Sequence, residues 1–150
     1  MTPTKSTKSG FTSEERAAMR QRAAELKAQE RKGKTAAEKA EIDRQDLLDA
    51  IAGMGDEDRV LAEALDEIVT TSAPQLASKT WYGFPAYTRD GKVVLFFKPA
   101  AKFKDRYATL GFETSAALDD GDMWPTSFAL TAVGDAERAR ITELVVRAAG

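Results

Sequence analysis

The chain has 150 residues, 43% apolar and 31% charged, with a formal charge of −2, which suits one compact domain rather than two. It contains no cysteine, no histidine and no asparagine. Disulfides, thiolate or imidazole metal sites, Ser-His-Asp and Cys-His catalytic sets and N-glycosylation are therefore excluded.

The charge is unevenly spread. Residues 1–45 hold 11 Lys/Arg against 7 Asp/Glu, so a basic arm of +4 precedes an acidic body of −6. An acidic body argues against a protein built around nucleic acid. No run approaches the roughly 18 apolar residues of a membrane span, and the start has no apolar leader core. The expected compartment is the cytoplasm, with no membrane partner.

Residues 1–10 are small, polar and basic and read as a flexible tail. Thr12-Ser13-Glu14-Glu15 matches a capping box and opens a helix running to Arg31. Its apolar stripe is thin, chiefly alanine with Met19 and Leu26, so residues 11–45 are expected to form a charged helical arm, solvated or weakly docked. Gly33-Lys34-Thr35 resembles the end of a phosphate-binding loop, but Ala28 stands where that motif needs a glycine and no strand precedes it. Thr35-Ala36-Ala37-Glu38 is instead a second capping box, starting a helix with Leu47, Leu48, Ile51 and Met54 on one stripe and an end near Gly53 to Gly55. Asp56 then suits an N-cap for a third helix, whose Val60, Leu61, Ala64, Leu65, Ile68 and Val69 share a face and which Pro74 closes.

Beyond Pro74 the apolar period changes to two. Lys79 to Tyr82 reads as a first strand, Ala86 to Arg89 and Lys92 to Lys98 as a hairpin about Asp90-Gly91, Lys104 to Phe112 as another strand and Thr126 to Thr131 as the last. Asp135 to Ala149 reads as a closing amphipathic helix through Ile141, Leu144, Val145 and Ala148. The predicted fold is a two-layer α+β domain over residues 46–150, an antiparallel sheet of about five strands flanked by N- and C-terminal helices on one face, preceded by the extra helical arm.

The stretches Lys79-Thr80-Trp81-Tyr82-Gly83-Phe84-Pro85-Ala86-Tyr87, Gly91-Lys92-Val93-Val94-Leu95-Phe96-Phe97 and Leu118-Asp119-Asp120-Gly121-Asp122-Met123-Trp124-Pro125 resemble the YdhG-like family over residues 55–149. That resemblance implies a helix–sheet–helix order similar to frataxin's. It also implies a frataxin-like iron chaperone holding Fe2+ on surface carboxylates, a function assigned to one member while most have none.

Three constellations carry candidate chemistry. The aromatic residues Trp81, Tyr82, Phe84, Tyr87, Phe96, Phe97, Phe103, Tyr107, Phe112 and Trp124 crowd into one stretch, where strand alternation sends some inward and others outward, with Trp81 and Tyr82 expected on opposite faces, as are Phe96 and Phe97. They either fill a small core or leave a ligand groove, for which Trp81, Tyr82, Phe84, Tyr87, Phe97, Tyr107 and Trp124 are the candidates. Gly83 and Pro85 about Phe84 suggest a fixed turn that places Phe84 or Tyr87 at a pocket mouth. Lys98 and Lys102, followed by Lys104 and Arg106, are either solvated or a rim for a carboxylate or phosphate.

Asp119, Asp120 and Asp122 are the densest acidic group, a hard-oxygen candidate for a cation or an Asp-Gly turn. It is not an EF-hand, since the twelfth position is Leu130. Glu57, Asp58, Glu63, Asp66 and Glu67 make a second acidic ridge on the third helix. No nucleophile–base spacing is recognisable, so the expectation is a binding module for a small ligand or protein partner rather than an enzyme.

Overall fold

The computed structural model describes residues 12–32 and 35–150, with side chains for 12–28 and 35–150. The tail at residues 1–10 and the Gly33-Lys34 dipeptide lie outside the described residues. Helix α1 (Ser13–Lys32) is followed by α2 (Ala36–Ala52) and α3 (Asp56–Ser72). Strands β1 (Ala77–Trp81), β2 (Phe84–Arg89), β3 (Lys92–Lys98), β4 (Ala108–Phe112) and β5 (Ser127–Leu130) follow, and α4 (Asp135–Ala149) closes the chain. The strands form one antiparallel meander in chain order, confirming the predicted α+β class and strand number.

Both capping boxes form. Thr12 Oγ1 accepts from Glu15 N at 3.0 Å while Glu15 Oε1 accepts from Thr12 N at 2.9 Å. Thr35 and Glu38 repeat the exchange at 3.1 Å each way. At α3 the cap is Gly55, one residue before the expected Asp56, which sits in the first turn and pairs with Arg59 at 2.8 Å. On that helix Leu61, Leu65, Ile68 and Val69 are buried as expected, Ala64 is half-buried, Val60 is 58% exposed, and Ala62, outside the predicted stripe, is buried. On α2, Leu47 and Ile51 are buried and Leu48 is not.

The register sorts the sheet's two faces. Tyr87 opposes Leu95, Leu95 opposes Phe112, and Phe97 opposes Leu110, so these side chains share the face covered by α2, α3 and α4. On the other face Trp81 opposes Phe84, Ala86 opposes Phe96 and Phe96 opposes Gly111. Helix α1 stands apart from the three-helix layer, against β1 and the short 3-10 turn Ala101–Phe103. The boundary expected at residue 45 falls inside α2, where Arg44 and Leu47 both engage the body.

Two connections differ from the sequence reading. Tyr82 is not in a strand: with φ 54° at Tyr82 and 84° at Gly83, the pair forms a two-residue hairpin turn between Trp81 and Phe84. Phe84 and Pro85 are therefore strand residues, and the turn lies before them rather than around Phe84. The fourth strand begins at Ala108, not Lys104, because buried Asp58 accepts from the amides of Ala100 at 2.9 Å and Ala101 at 3.0 Å and folds this segment into the 3-10 turn. The last strand is shorter than expected, Ser127–Leu130 in place of residues 126–131.

Candidate functional site

The outer face of the sheet carries an open cleft of about 500 Å³ lined by Glu15, Ala18 and Met19 of α1 and by Trp81, Tyr82, Phe84, Phe96, Lys98 and Phe103. The β1–β2 turn makes it possible. Positive φ at Tyr82 swings its ring toward Trp81, and their centroids lie 5.1 Å apart rather than on opposite faces. Trp81 meets Phe96 at 5.4 Å, and Phe84 meets Phe96 at 5.8 Å and Phe103 at 6.0 Å. Phe96 lies flat over β4 because Gly111 opposite it has no side chain; a Cβ there would run into the ring.

Lys98 borders the rings with its Nζ 4.7 Å from the Phe103 centroid, a cation–π distance. Its nearest acid is Asp105 at 3.7 Å, beyond hydrogen-bond length, so the ammonium keeps donors for another acceptor. Glu15, the acid in the lining, is occupied as the α1 cap.

Helix α1 forms the far wall, and two polar contacts tie it to the segment around the 3-10 turn. Glu14 pairs with Lys104 at 3.0 Å and Gln21 accepts from Lys102 Nζ at 3.0 Å. The Lys104 hydrogen bond draws the Glu14 carboxyl below its ordinary pKa. Deeper in, Ala18 is buried, and Arg22 Nη1 and Glu25 Oε1 are buried atoms without hydrogen-bond partners. Burial pushes the Glu25 carboxyl up and the Lys79 and Lys102 amines down.

Of the predicted ligand residues, the structure brings Trp81, Tyr82, Phe84 and Lys98 together. Tyr87 and Phe97 are shut into the core at 1% and 0% exposure and meet no ligand. Tyr87 donates to Asp66 Oδ1 at 2.7 Å, and burial followed by that carboxylate holds its phenol well above the ordinary value. Tyr107 lies under Arg106 in a separate groove beside Val60 and Val133, and Trp124 is half-buried against the core edge. Lys102 points into a recess beside Gly83 and Asp49. Phe96 and Phe103, which belong to the aromatic group but not to the ligand candidates, complete the lining with Glu15, Ala18 and Met19 of α1.

The acidic candidates do not assemble. Asp119, Asp120 and Asp122 are all exposed about Gly121 at φ 70°, and among the described residues no group of three or more acids is placed to hold a metal ion. On the α3 ridge Glu57 is exposed, and the other four acids have partners within the fold. Asp58 caps the 3-10 turn and Asp66 receives both Arg44 amines at 2.7 and 2.8 Å, while Glu63 faces Arg59 at 3.9 Å and Glu67 pairs with Arg138 at 3.0 Å. Among the described residues no helix is long and apolar enough to cross a membrane.

Fold and site together define a five-stranded antiparallel meander with helices packed on its core face and an aromatic cleft on its other face, walled by α1. Comparison with protein families, curated proteins and solved structures finds no match to this chain.

Proposed function

We propose that this protein is a non-enzymatic binding module whose outer-face cleft takes a small apolar or aromatic ligand. The observation that supports this reading is the five rings of Trp81, Tyr82, Phe84, Phe96 and Phe103 gathered beside the α1 wall. A volume of about 500 Å³ is that of a small-molecule site, and the lining is mostly aromatic with one lysine and one glutamate, the composition such sites favour. Phe84 is 6% exposed and Tyr82 37%, so the recess is shallow, with Phe84 at its floor and Tyr82 at its rim.

The test uses Trp124→Phe, which leaves Trp81 as the sole tryptophan, titrated with the neutral ring 2-naphthol while Trp81 emission is followed. A saturable change that disappears in Phe103→Ala is the expected result. No saturation up to the solubility limit, or binding untouched by Phe103→Ala, would remove the cleft as the site.

The YdhG-like resemblance carries an alternative, ferrous iron binding through Asp119, Asp120 and Asp122. Their exposed, non-converging placement does not fit a hard-cation site, and the helix–sheet–helix order is its remaining support. Anaerobic calorimetry with Fe2+, using Mg2+ as control, separates the readings: selective, saturable heat lost on replacing all three aspartates by alanine would favour iron.

A further inference from the structure

We infer that the cleft selects planar aromatic anions, with a carboxylate on Lys98 Nζ and the ring against the Trp81, Phe96 and Phe103 surfaces; the inference rests on the ligand-cleft reading above. Aromatic recesses are also used for cations, held in cages of rings facing an empty centre. That arrangement is absent here among the described residues. The rings contact one another in pairs, with centroids 5.1 to 6.5 Å apart, and make a packed floor rather than a cage. A cation already stands over the Phe103 face, Lys98 Nζ at 4.7 Å. A ligand cation would meet it.

An anion meets the opposite field. Lys98 projects from the same face of β3 as Phe96, two residues away, so an acid bound to Nζ keeps its ring over the aromatic floor. The pairing that competes for Nζ is Asp105 at 3.7 Å, an exposed contact of the kind worth little in water. Glu15 is the acid of the lining, and its carboxylate is engaged by the Thr12 amide at 2.9 Å at the α1 N-terminus, where the helix dipole offsets its charge. The polar requirement is thus one anionic group on the ligand, within reach of Lys98 Nζ.

The experiment compares three probes that share the naphthalene ring, 2-naphthoate, its isostere 2-naphthamide and the cationic 2-(aminomethyl)naphthalene, on Trp124→Phe protein and on the same protein with Lys98→Gln. Naphthoate is expected to bind at least tenfold more tightly than the amide, with the amine weakest. In Lys98→Gln the naphthoate advantage should collapse to below threefold while amide binding stays within twofold. Equal binding of all three would overturn the charge selectivity and leave the cleft reading intact. Tighter binding of the amine, or a naphthoate advantage that survives Lys98→Gln, would also overturn it. Failure of every probe to bind would sink the inference together with the cleft reading.

Discussion

Arg44, Asp66 and Tyr87 form a polar chain sunk between α2, α3 and β2. Asp66 receives Arg44 Nη1 and Nη2 at 2.7 and 2.8 Å and Tyr87 Oη at 2.7 Å, and Arg44 also reaches Ser78 Oγ at 3.2 Å. The two neighbours of the carboxylate do different work. Tyr87→Phe removes one donor and leaves Asp66 ion-paired, so it should cost about 1–2 kcal/mol. Arg44→Ala strands a carboxylate whose side chain is 12% exposed. Its cost should be on the order of 2–3 kcal/mol, below that of a fully buried pair because a third of the Arg44 side chain faces water. Urea unfolding of the two variants checks the order, and a Tyr87→Phe cost equal to that of Arg44→Ala would show that the hydroxyl, not the ion pair, anchors Asp66. Neither role was readable beforehand, since Asp66 looked like solvated charge and Tyr87 like a groove residue. What settles both is a pairing between residues 22 and 21 positions apart, which no local pattern encodes.

At the scale of elements, local chemistry was legible and tertiary phase was not. The capping boxes at Thr12 and Thr35, the Asp90-Gly91 turn, α4 and β3 all formed at their expected places, because each depends on residues within a few positions of one another. The aromatic faces went astray at a bulge. Regular pairing from the Asp90-Gly91 turn would set Tyr87 against Val94, but the register shifts between Tyr87 and Thr88, so Tyr87 opposes Leu95 and Ala86 opposes Phe96. The shift puts Phe97 in the core and Phe96 in the cleft, which is why the sequence reading named the wrong member of that pair. Helix α1 was expected as a weakly docked arm, and its titrating groups make that docking measurable. Glu25 faces Arg22 on its own helix, Lys79 and Thr80 from β1, Asp46 from α2 and Lys102 from the 3-10 turn. Its pKa is raised above 4.5 by burial, so the docked helix holds the proton more tightly than the free one, and this contribution is present below 4.5 and lost as pH rises through the raised value. Glu14 has the opposite sign: lowered by Lys104, it contributes above 4.5 and is lost as pH falls through the lowered value. Docking should therefore tighten as pH falls from neutrality toward 4.5 and loosen below it. Acrylamide quenching of Trp81 in Trp124→Phe protein follows this, and Glu25→Gln should abolish the upper limb while keeping the lower; an unchanged upper limb would exclude Glu25 as its source.

For the whole molecule, the question is where the cooperative unit begins. Among the described residues, the core cluster takes side chains from α2, α3, the sheet and α4 but none from α1, where Ala18 is buried beside two polar atoms without hydrogen-bond partners. Helix α2, in contrast, lays Leu47 and Ile51 into that core and supplies Arg44 to Asp66. Arg89 ties the far end by donating to Ala148 O at 3.2 Å, Ala149 O at 2.6 Å and Ser115 O at 2.5 Å, so β2 is fastened to the last turn of α4. Two truncations should consequently behave differently although they differ by only eleven residues. Removing residues 1–34 keeps the Thr35 cap and all of α2, and should retain a single cooperative melt shifted by no more than about 5 °C, roughly what 1 kcal/mol produces in a domain of this size. It should also open the cleft, making Trp81 more accessible to acrylamide. Removing residues 1–45 cuts α2 in mid-helix and takes Arg44 away from Asp66, and should lose the cooperative transition or lower it several times further. Circular dichroism melts of the two fragments decide the matter. Equal, small shifts would mean that α2 is as dispensable as α1, and loss of cooperativity in the shorter truncation would make α1 part of the folding unit, leaving the aromatic cleft an internal seam rather than a surface site.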